Sequence, residues 1–236
     1  MPLPKLEHPV FELEIPSTKE KVKYRPFLVK EEKILLLAQS SGLAGDVVTA
    51  IKQIINNCTV EGDINVDTLP SFDLEFFFLR LRAHSVNDMA KLKFNDPDND
   101  KEIEVEVDLK EIQVHFSEEH TNAINLSGDI SLLMRYPTYD DYASISYDPT
   151  EGNTAEAITS LINICVDKVY AGEDVHEFKD YSPEEVNEFV DSFSGQNFKD
   201  IRKFFDTSPR LEHTIDYKVG NKKKQYTFKG ISDFLS

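Results

Sequence analysis

Three aspartates at alternating positions are the first residues of the chain whose spacing suggests chemistry. Asp96, Asp98 and Asp100 match the first half of an EF-hand calcium loop, which also needs Gly at its sixth position and Glu at its twelfth. Those two positions hold Lys101 and Val107. The pattern therefore predicts a solvated β-turn and not a calcium site.

A row of carboxylates follows this turn. It consists of Glu102, Glu104, Glu106 and Asp108. The residues between them are apolar, and this strict alternation predicts a strand with its acids on one face. Side chains two residues apart on a strand lie roughly 7 Å from each other, which is too far for neighbouring carboxylates to hold one ion unaided. A solvent-facing row is the plainer interpretation, and an electrostatic docking face for a basic partner is the alternative.

Motifs for catalysis and for cofactors are lacking in the sequence. The six histidines form no His-x-x-x-His pair, and there is no nucleophile elbow, phosphate loop or dinucleotide-binding glycine motif. Cys58 and Cys165 lie far apart and are expected to be buried small hydrophobes in a reducing cytosol. We therefore expect no enzyme, cofactor, metal or small-molecule substrate. A metal-dependent enzyme that uses the carboxylate row is the less favoured alternative.

The charge of the chain excludes further classes of protein. The 236 residues include 26 Lys and Arg against 43 Asp and Glu, a net charge of −17. Such a chain is a poor candidate for binding nucleic acid or anionic membranes. No apolar stretch is long enough for a membrane helix, and the first residues do not resemble a signal peptide. With 40% hydrophobic residues, the composition is that of a soluble protein with a true core.

Hydrophobic periodicity predicts an α+β fold. An N-terminal hairpin is expected, with its acidic strand at 11–15 and its basic strand at 21–25 paired by charge. Helices are predicted at 29–42, at 44–57 and after Ser71, and the last is apolar nearly all round. A central antiparallel β-ribbon, formed by residues 89–95 and 102–108, comes next, with further strands near 124–134.

The C-terminal part is predicted to be mainly helical and to end in a hairpin. A helix from Ala155 to Tyr170 is expected to be capped by Thr154, and Ser182 opens a capping box. The final hairpin turns around Gly220-Asn221. We find no internal repeat. The chain divides into three segments: residues 1–86 form the N-terminal hairpin plus helices, 87–137 the central ribbon, and 138–236 the helical C-terminal region.

Four segments carry a further signal. They are Ile15–Phe27 with Val29–Leu36, Phe72–Ser85, Arg135–Thr138, and Lys203–Tyr217 with Gly230–Phe234. In this order they resemble the baseplate hub assembly protein of T-even-like contractile-tailed bacteriophages, and the resemblance covers nearly the whole chain. In many relatives the ribbon carries the cysteine pairs of a zinc ribbon, whereas the matching region Lys93–Glu102 has none. A four-thiolate zinc site is then impossible, and we predict no zinc.

The resemblance implies a structural protein that assembles the baseplate hub through protein–protein contacts. Its expected partners are other hub and tail proteins, with self-association as a further possibility and with no nucleic acid or membrane. Its expected location is the host bacterial cytoplasm during assembly and then the virion tail baseplate. The alternative is a tail assembly chaperone that does not stay in the particle.

Three surfaces are expected to make these contacts. They comprise Lys23, Arg25, Phe27, Glu31, Glu32 and Lys33 on the hairpin and first helix; Glu102, Glu104, Glu106 and Asp108 on the ribbon; and Phe234 with the C-terminal hairpin. The alternative for Arg25-Pro26-Phe27 is that it ends a strand and anchors the core. Positive charge is concentrated at 19–25 and 222–224, so the chain could pair by charge with neighbours or with copies of itself.

Overall fold

The computed structural model describes residues 6–145, 155–220 and 222–235. It confirms the α+β class, with helices and antiparallel strands along the chain. Packing divides the chain into two units: unit 1 comprises residues 1–115 and 210–236, and unit 2 comprises residues 116–209. The three segments expected from the sequence follow the type of element and not packing, and that segmentation stays a prediction.

Unit 1 begins with the predicted hairpin and helices. These elements are β1 (Phe11–Glu14), β2 (Lys21–Tyr24), α1 (Val29–Ser41), α2 (Ala44–Cys58) and β3 (Thr59–Glu61). β3 pairs with β2, so the sheet order is β1-β2-β3. Glu12 lies opposite Lys23 and Glu14 opposite Lys21, which confirms the expected pairing of acids with cations. α1 ends where Gly42 adopts a left-handed φ of 72°, as predicted for a glycine stop.

The most buried helix of unit 1 is α3 (Ser71–Ser85), which follows a short 3-10 turn at Val66–Thr68. Every residue from Phe72 to Leu81 is buried, in agreement with its apolar surface on all sides. The ribbon follows as β4 (Met89–Asn95) and β5 (Glu102–Asp108), in the predicted positions.

The chain returns to unit 1 at its C-terminal end. These elements are β6 (Gln113–His115), β11 (Arg210–Val219), β12 (Lys222–Lys229) and α8 (Gly230–Leu235). The three strands form a sheet in the order β12-β11-β6. The predicted terminal hairpin is thus present, although Asn221 of its expected turn lies outside the described residues.

Unit 2 is built around a four-stranded sheet. Its elements are β7 (Ala123–Ser127), β8 (Ile130–Met134), α4 (Tyr139–Ser144), α5 (Ala155–Cys165), β9 (Val166–Ala171), β10 (Asp174–Glu177), α6 (Pro183–Asp191) and α7 (Gly195–Thr207). The strand order is β10-β9-β8-β7. Side chains from the sheet, α5 and α7 form one apolar core, with Leu132, Ile162 and Phe204 among its members.

The helix predicted from Ala155 to Tyr170 is wrong beyond Cys165, and Thr154, its predicted cap, lies outside the described residues. The chain continues as β9, which pairs with β8 and β10. A β-bulge skips Asp167, so the buried Val166 and Val169 are three residues apart. This spacing imitates one face of a helix, and the periodicity was therefore misleading.

The two units repeat one order of elements, although no repeat is visible in the sequence. Unit 1 runs β1-β2-α1-α2-β3, and unit 2 runs β7-β8-α4-α5-β9. In β3 the bulge skips Val60 opposite Lys23 and Tyr24, and in β9 it skips Asp167 opposite Leu133 and Met134. The structure therefore contains an internal duplication at the level of the fold.

The duplication extends beyond the third strand. Each unit continues into a short 3-10 turn, Val66–Thr68 or Phe178–Asp180, whose first residue is buried. The next helix, α3 or α6, begins three residues after the end of that turn. Unit 2 differs in having β10 inserted between β9 and its 3-10 turn.

Candidate functional site

Arg25 ties the N-terminal hairpin to α1 and to the end of α2. Its backbone N–H donates to the Cys58 carbonyl at 2.9 Å, and its Nη2 donates to Glu31 Oε1 at 3.0 Å. Glu31 is fully buried near the start of α1, and it also accepts the Leu28 N–H at 2.9 Å. Burial alone would raise the pKa of Glu31, but the hydrogen bonds from Arg25 and Leu28 outweigh it and the net pKa is lowered.

Unit 2 contains the same arrangement. The Arg135 N–H donates to the Cys165 carbonyl at 2.7 Å, and its guanidinium donates twice to Asp141, at 2.7 and 3.0 Å. Asp141 also accepts the N–H of Thr138, the residue before α4, at 2.7 Å. We name each set an arginine corner: Arg25, Glu31 and Cys58 form the first, and Arg135, Asp141 and Cys165 form the second.

The first arginine corner accounts for the burial of several residues that the sequence suggested for a partner surface. Arg25, Phe27 and Glu31 lie largely inside unit 1, where Arg25 closes the corner and Phe27 packs in the core. Their placement agrees with the alternative in which Arg25-Pro26-Phe27 ends a strand and anchors the core. In this conformation their side chains offer little surface to a partner, whereas Glu32 and Lys33 are exposed.

α1 presents to solvent a face on which exposed leucines lie beside charged residues. Its buried stripe contains Glu31 and Leu35, and its opposite face follows the spacing i, i+3, i+4, i+7, i+8. That face, which we name the α1 outer face, consists of Val29, Glu32, Lys33, Leu36 and Leu37. Leu36 and Leu37 are 58% and 71% exposed, and Leu43 at the start of α2 adds a further exposed leucine. Sequence reasoning identified the helix but missed that this run of leucines faces outward.

Three members of the carboxylate row, Glu102, Glu104 and Glu106, are exposed on the ribbon as predicted, and Asp108 is half-buried. Lysines of β4 accompany it: Lys93 Nζ lies 3.0 Å from Glu102, and Lys91 Nζ lies 3.4 Å from Glu104. Asp108 accepts the Lys110 N–H at 2.8 Å at the end of the strand. Cross-strand ion pairs therefore neutralise part of the row, and the ribbon shows a mixed charge pattern and not a purely acidic one.

The aspartate turn joins the ribbon to the C-terminal hairpin. Asp96 is buried and accepts hydrogen bonds from Tyr217 Oη at 3.0 Å and from Lys224 Nζ at 2.7 Å, while Lys224 also reaches Asp98. The hydrogen bond from Lys224 holds the pKa of Asp96 below its ordinary value. The prediction of a solvated turn was thus wrong for Asp96, because its charge is matched by residues more than 100 positions away in the sequence.

Two arginines of α3, the buried Arg80 and the half-buried Arg82, fix other segments of unit 1. Arg80 donates to the carbonyls of Leu109 and Ile112, both at 2.6 Å, and Arg82 donates to the carbonyl of Phe234. Phe234 itself is fully buried and packs near Phe228, so its side chain belongs to the core. These arginines lie in the Phe72–Ser85 segment, but periodicity alone gave no sign of their role.

Asp73 is a buried carboxylate near the start of α3. It accepts both the N–H and the hydroxyl of Ser17, in the turn between β1 and β2. Burial raises the pKa of Asp73 to about 6, although the hydrogen bonds from Ser17 oppose the shift. Sequence reasoning did not single out this residue, because an Asp in the first turn of a helix is ordinary.

Metal-binding geometry is not found in the described part of the chain, where no three His, Cys, Asp or Glu side chains are placed to share an ion. The prediction of no zinc stays a prediction. Cys58 and Cys165 are free and buried, and burial raises their pKa values to about 11 and about 12. Both thiols are therefore neutral at pH 7. Each cysteine contributes its backbone carbonyl to an arginine corner, and the Cys58 Sγ also accepts a hydrogen bond from Arg25 Nη1 at 3.5 Å.

The arrangement defines a class of protein. Its buried charges hold segments of the chain together, and its exposed leucines and cross-strand charges form surfaces suited to contact with other proteins. None of the helices in residues 6–145, 155–220 and 222–235 has the length and apolar character to span a bilayer.

The chain matches the family described as T4 bacteriophage base plate protein over residues 8–236. Because the match covers almost the whole chain, the protein belongs to this family, which gives it a structural or assembly role in a phage baseplate. No curated protein and no solved structure matches the chain.

Proposed function

We propose that this chain is a structural protein of the baseplate hub, that it acts by protein–protein contact during tail assembly, and that it stays in the virion. Family membership supports a baseplate role. The resemblance of Ile15–Leu36 and of the C-terminal segments to hub assembly proteins supports the hub in particular. The observation that carries a contact function is the α1 outer face.

The α1 outer face has the properties of a docking surface. A protein with net charge −17 gains nothing from exposing leucines to water, since each such side chain loses the free energy that burial would provide. Contiguous exposed apolar residues rimmed by charges mark protein-binding sites. Glu32 and Lys33 supply the rim on α1.

Other exposed members of the predicted surfaces complete the proposal. They are Lys23 on the hairpin, and Glu102, Glu104 and Glu106 on the ribbon, with the half-buried Asp108 at the end of the row. The buried members, Phe27, Glu31 and Phe234, and the partly buried Arg25 position these surfaces from within. In this proposal the exposed charges select the partner and the leucines of α1 provide most of the affinity.

The double substitution Leu36→Ser and Leu37→Ser tests the contact function. Both side chains are exposed, so the variant should fold with an unchanged melting temperature. Phage that lack the gene should form plaques when supplied with the wild-type protein and not when supplied with this variant. The control is Val60→Ser with Val175→Ser, two other apolar residues that are more than half exposed. Full complementation by the leucine variant would reject the α1 outer face.

Separate measurements test the hub and the virion. Mass spectrometry of purified tails should detect the chain, and its absence there would favour the assembly chaperone. Cross-linking through Lys23 and Lys33 in purified baseplates should join the chain to proteins of the central hub. Cross-links found only to peripheral baseplate proteins would leave the family role intact and overturn the hub assignment.

A further inference from the structure

Unit 2 has an open apolar groove between its sheet and α6. The groove encloses about 290 Å³, and its walls include Ile130, Val169, Phe178, Val186 and Phe189. Ile130 is 37% exposed, so the apolar lining is accessible to a partner. A groove of this kind accepts the aliphatic part of a side chain from another surface.

The two units differ at the helix that lines the groove. In unit 1 the third residue of α3, Asp73, reaches across to the hairpin turn and accepts hydrogen bonds from Ser17. The third residue of α6 is Glu185, which bonds only to its own cap, Ser182. The third residue of the helix therefore ties α3 to the first hairpin in unit 1, whereas in unit 2 it lines the groove.

Glu185 lines the groove, and three further carboxylates lie close in the chain to other lining residues. Asp129 precedes Ile130, Glu173 lies in the turn between β9 and β10, and Glu188 is one turn after Glu185 on α6. All three are exposed, and none of them forms an ion pair with another described residue. Unit 2 as a whole has 19 Asp and Glu against 6 Lys and Arg, a net charge of −13. A fitting occupant therefore combines positive charge with aliphatic surface.

The same chain carries such a segment at the tip of the hairpin formed by β11 and β12. Lys218 lies directly opposite Lys223, and Lys222 lies opposite the half-buried Val219. Like charges in directly opposed positions destabilise a sheet. The strand lysines of the other described sheets are paired with carboxylates, as in Lys21–Glu12 and Lys168–Glu177. The three exposed tip lysines have no such partner within the described chain.

We propose that the groove of unit 2 binds the hairpin tip of a second copy of this chain. The lysine stems and Val219 would lie along the apolar walls, while the ammonium groups meet Asp129, Glu173 and Glu188. Because the two surfaces differ, the contact is head-to-tail, and it closes into a ring or extends into a filament. It uses neither the α1 outer face nor the ribbon, so it stands independently of the proposed function.

Analytical ultracentrifugation of the full chain over a range of concentrations tests this contact. In about 50 mM NaCl the mass should rise above 27.0 kDa with concentration, and in about 500 mM NaCl it should fall back, because salt screens the charges. The tip variant, Lys218→Glu with Lys223→Glu, and the rim variant, Asp129→Lys with Glu188→Lys, should each remain monomeric. A control, Lys101→Glu with Lys199→Glu, has the same net charge as the tip variant and should associate like the wild type.

Mixing the two variants gives the decisive result. An acidic tip fits a basic rim, and the unchanged tip of the rim variant fits the unchanged rim of the tip variant. An equimolar mixture should therefore associate although each variant alone does not. A monomeric wild type at every concentration, a monomeric mixture, or tip and rim variants that associate like the wild type would each overturn the proposal.

Discussion

Units 1 and 2 share a framework and differ in what surrounds it. Each contains an arginine corner, in which an arginine after the second strand binds a carboxylate six residues later and the carbonyl of a buried cysteine. Unit 1 balances 24 acids with 20 cations, whereas unit 2 has 19 acids and 6 cations. The comparison shows that the duplicated contacts maintain the fold, while the surfaces have diverged for different neighbours.

The corners also differ in exposure. The Glu31 side chain is fully buried and that of Arg25 is 17% exposed, whereas Asp141 and Arg135 are 15% and 39% exposed. A charge left alone in a buried site costs more free energy than one that water can reach. The same substitution in the two units should therefore have unequal effects.

The largest effect is expected for Arg25→Ala. It removes the more buried of the two cations at Glu31, because Lys30 Nζ, 3.3 Å from the same carboxylate, is exposed and remains. Breaking a buried pair costs about 3–5 kcal/mol, and Lys30 should keep the loss near the lower end of that range. Urea unfolding followed by circular dichroism should show this loss in the free energy of unfolding. The double variant Arg25→Ala with Glu31→Gln should recover part of it, since Gln still accepts the Leu28 N–H without a buried charge. An unchanged stability of Arg25→Ala would contradict the first arginine corner.

The next largest effect is a change of stability with pH, and it arises from Asp73 in unit 1. The pKa of Asp73 is about 6 in the folded chain against an ordinary 3.8, so the folded state holds its proton more tightly. The resulting stabilisation is complete below the unfolded pKa and is lost as pH rises through about 6. A shift of this size corresponds to about 3 kcal/mol.

Asp73→Asn isolates this contribution. The amide still accepts one hydrogen bond from Ser17 and can donate one to its hydroxyl, but it does not titrate. Between about pH 4 and pH 6.5 the stability of the wild type should decrease relative to that of the variant, when both are measured by urea unfolding. Parallel stability curves for the two proteins across this range would show that Asp73 is not held in its neutral form.

Arg135→Ala in unit 2 should cost about 1–2 kcal/mol, which is less than Arg25→Ala. The variant loses two charged hydrogen bonds, but Asp141 keeps the Thr138 N–H and gains water. Arg135→Lys serves as the control and should recover little, since an ammonium group does not reproduce the paired donors of a guanidinium. A loss equal to that of Arg25→Ala would mean that exposure does not distinguish the corners.

Regular elements of this fold were predictable where one physical signal dominates. The alternation in β5 and the apolar surface of α3 led to correct assignments, because each follows from burial on one face or on all faces. The helix beyond Cys165 was wrong because a bulge gave Val166 and Val169 helical spacing. Pairing with β8 decides the structure there, and no local pattern reports that pairing.

The candidate site was less predictable than the fold. Exposure of Leu36 and Leu37 depends on which face of α1 meets α2, and the run of apolar residues favours neither face. The duplication was not seen in the sequence because its shared residues are few: an arginine, an acid at the helix start and a distant cysteine. Such contacts become recognisable only once the strands and helices bring them together.

The smallest effect is expected at a cross-strand position that holds an ion pair in unit 1 and none in unit 2. Lys23 lies opposite Glu61 in unit 1, and Leu133 lies opposite Lys168 at the same position beside the bulge in unit 2. Lys23 Nζ is 2.7 Å from Glu61, but both side chains are well exposed, so water and salt weaken their attraction. A double-mutant cycle with Lys23→Ala and Glu61→Ala should give a coupling that is barely measurable at low salt and absent at high salt. A coupling that persists at high salt would show that this exposed pair is shielded from solvent, and that unit 1 depends on its surface charges as well as on its buried corner.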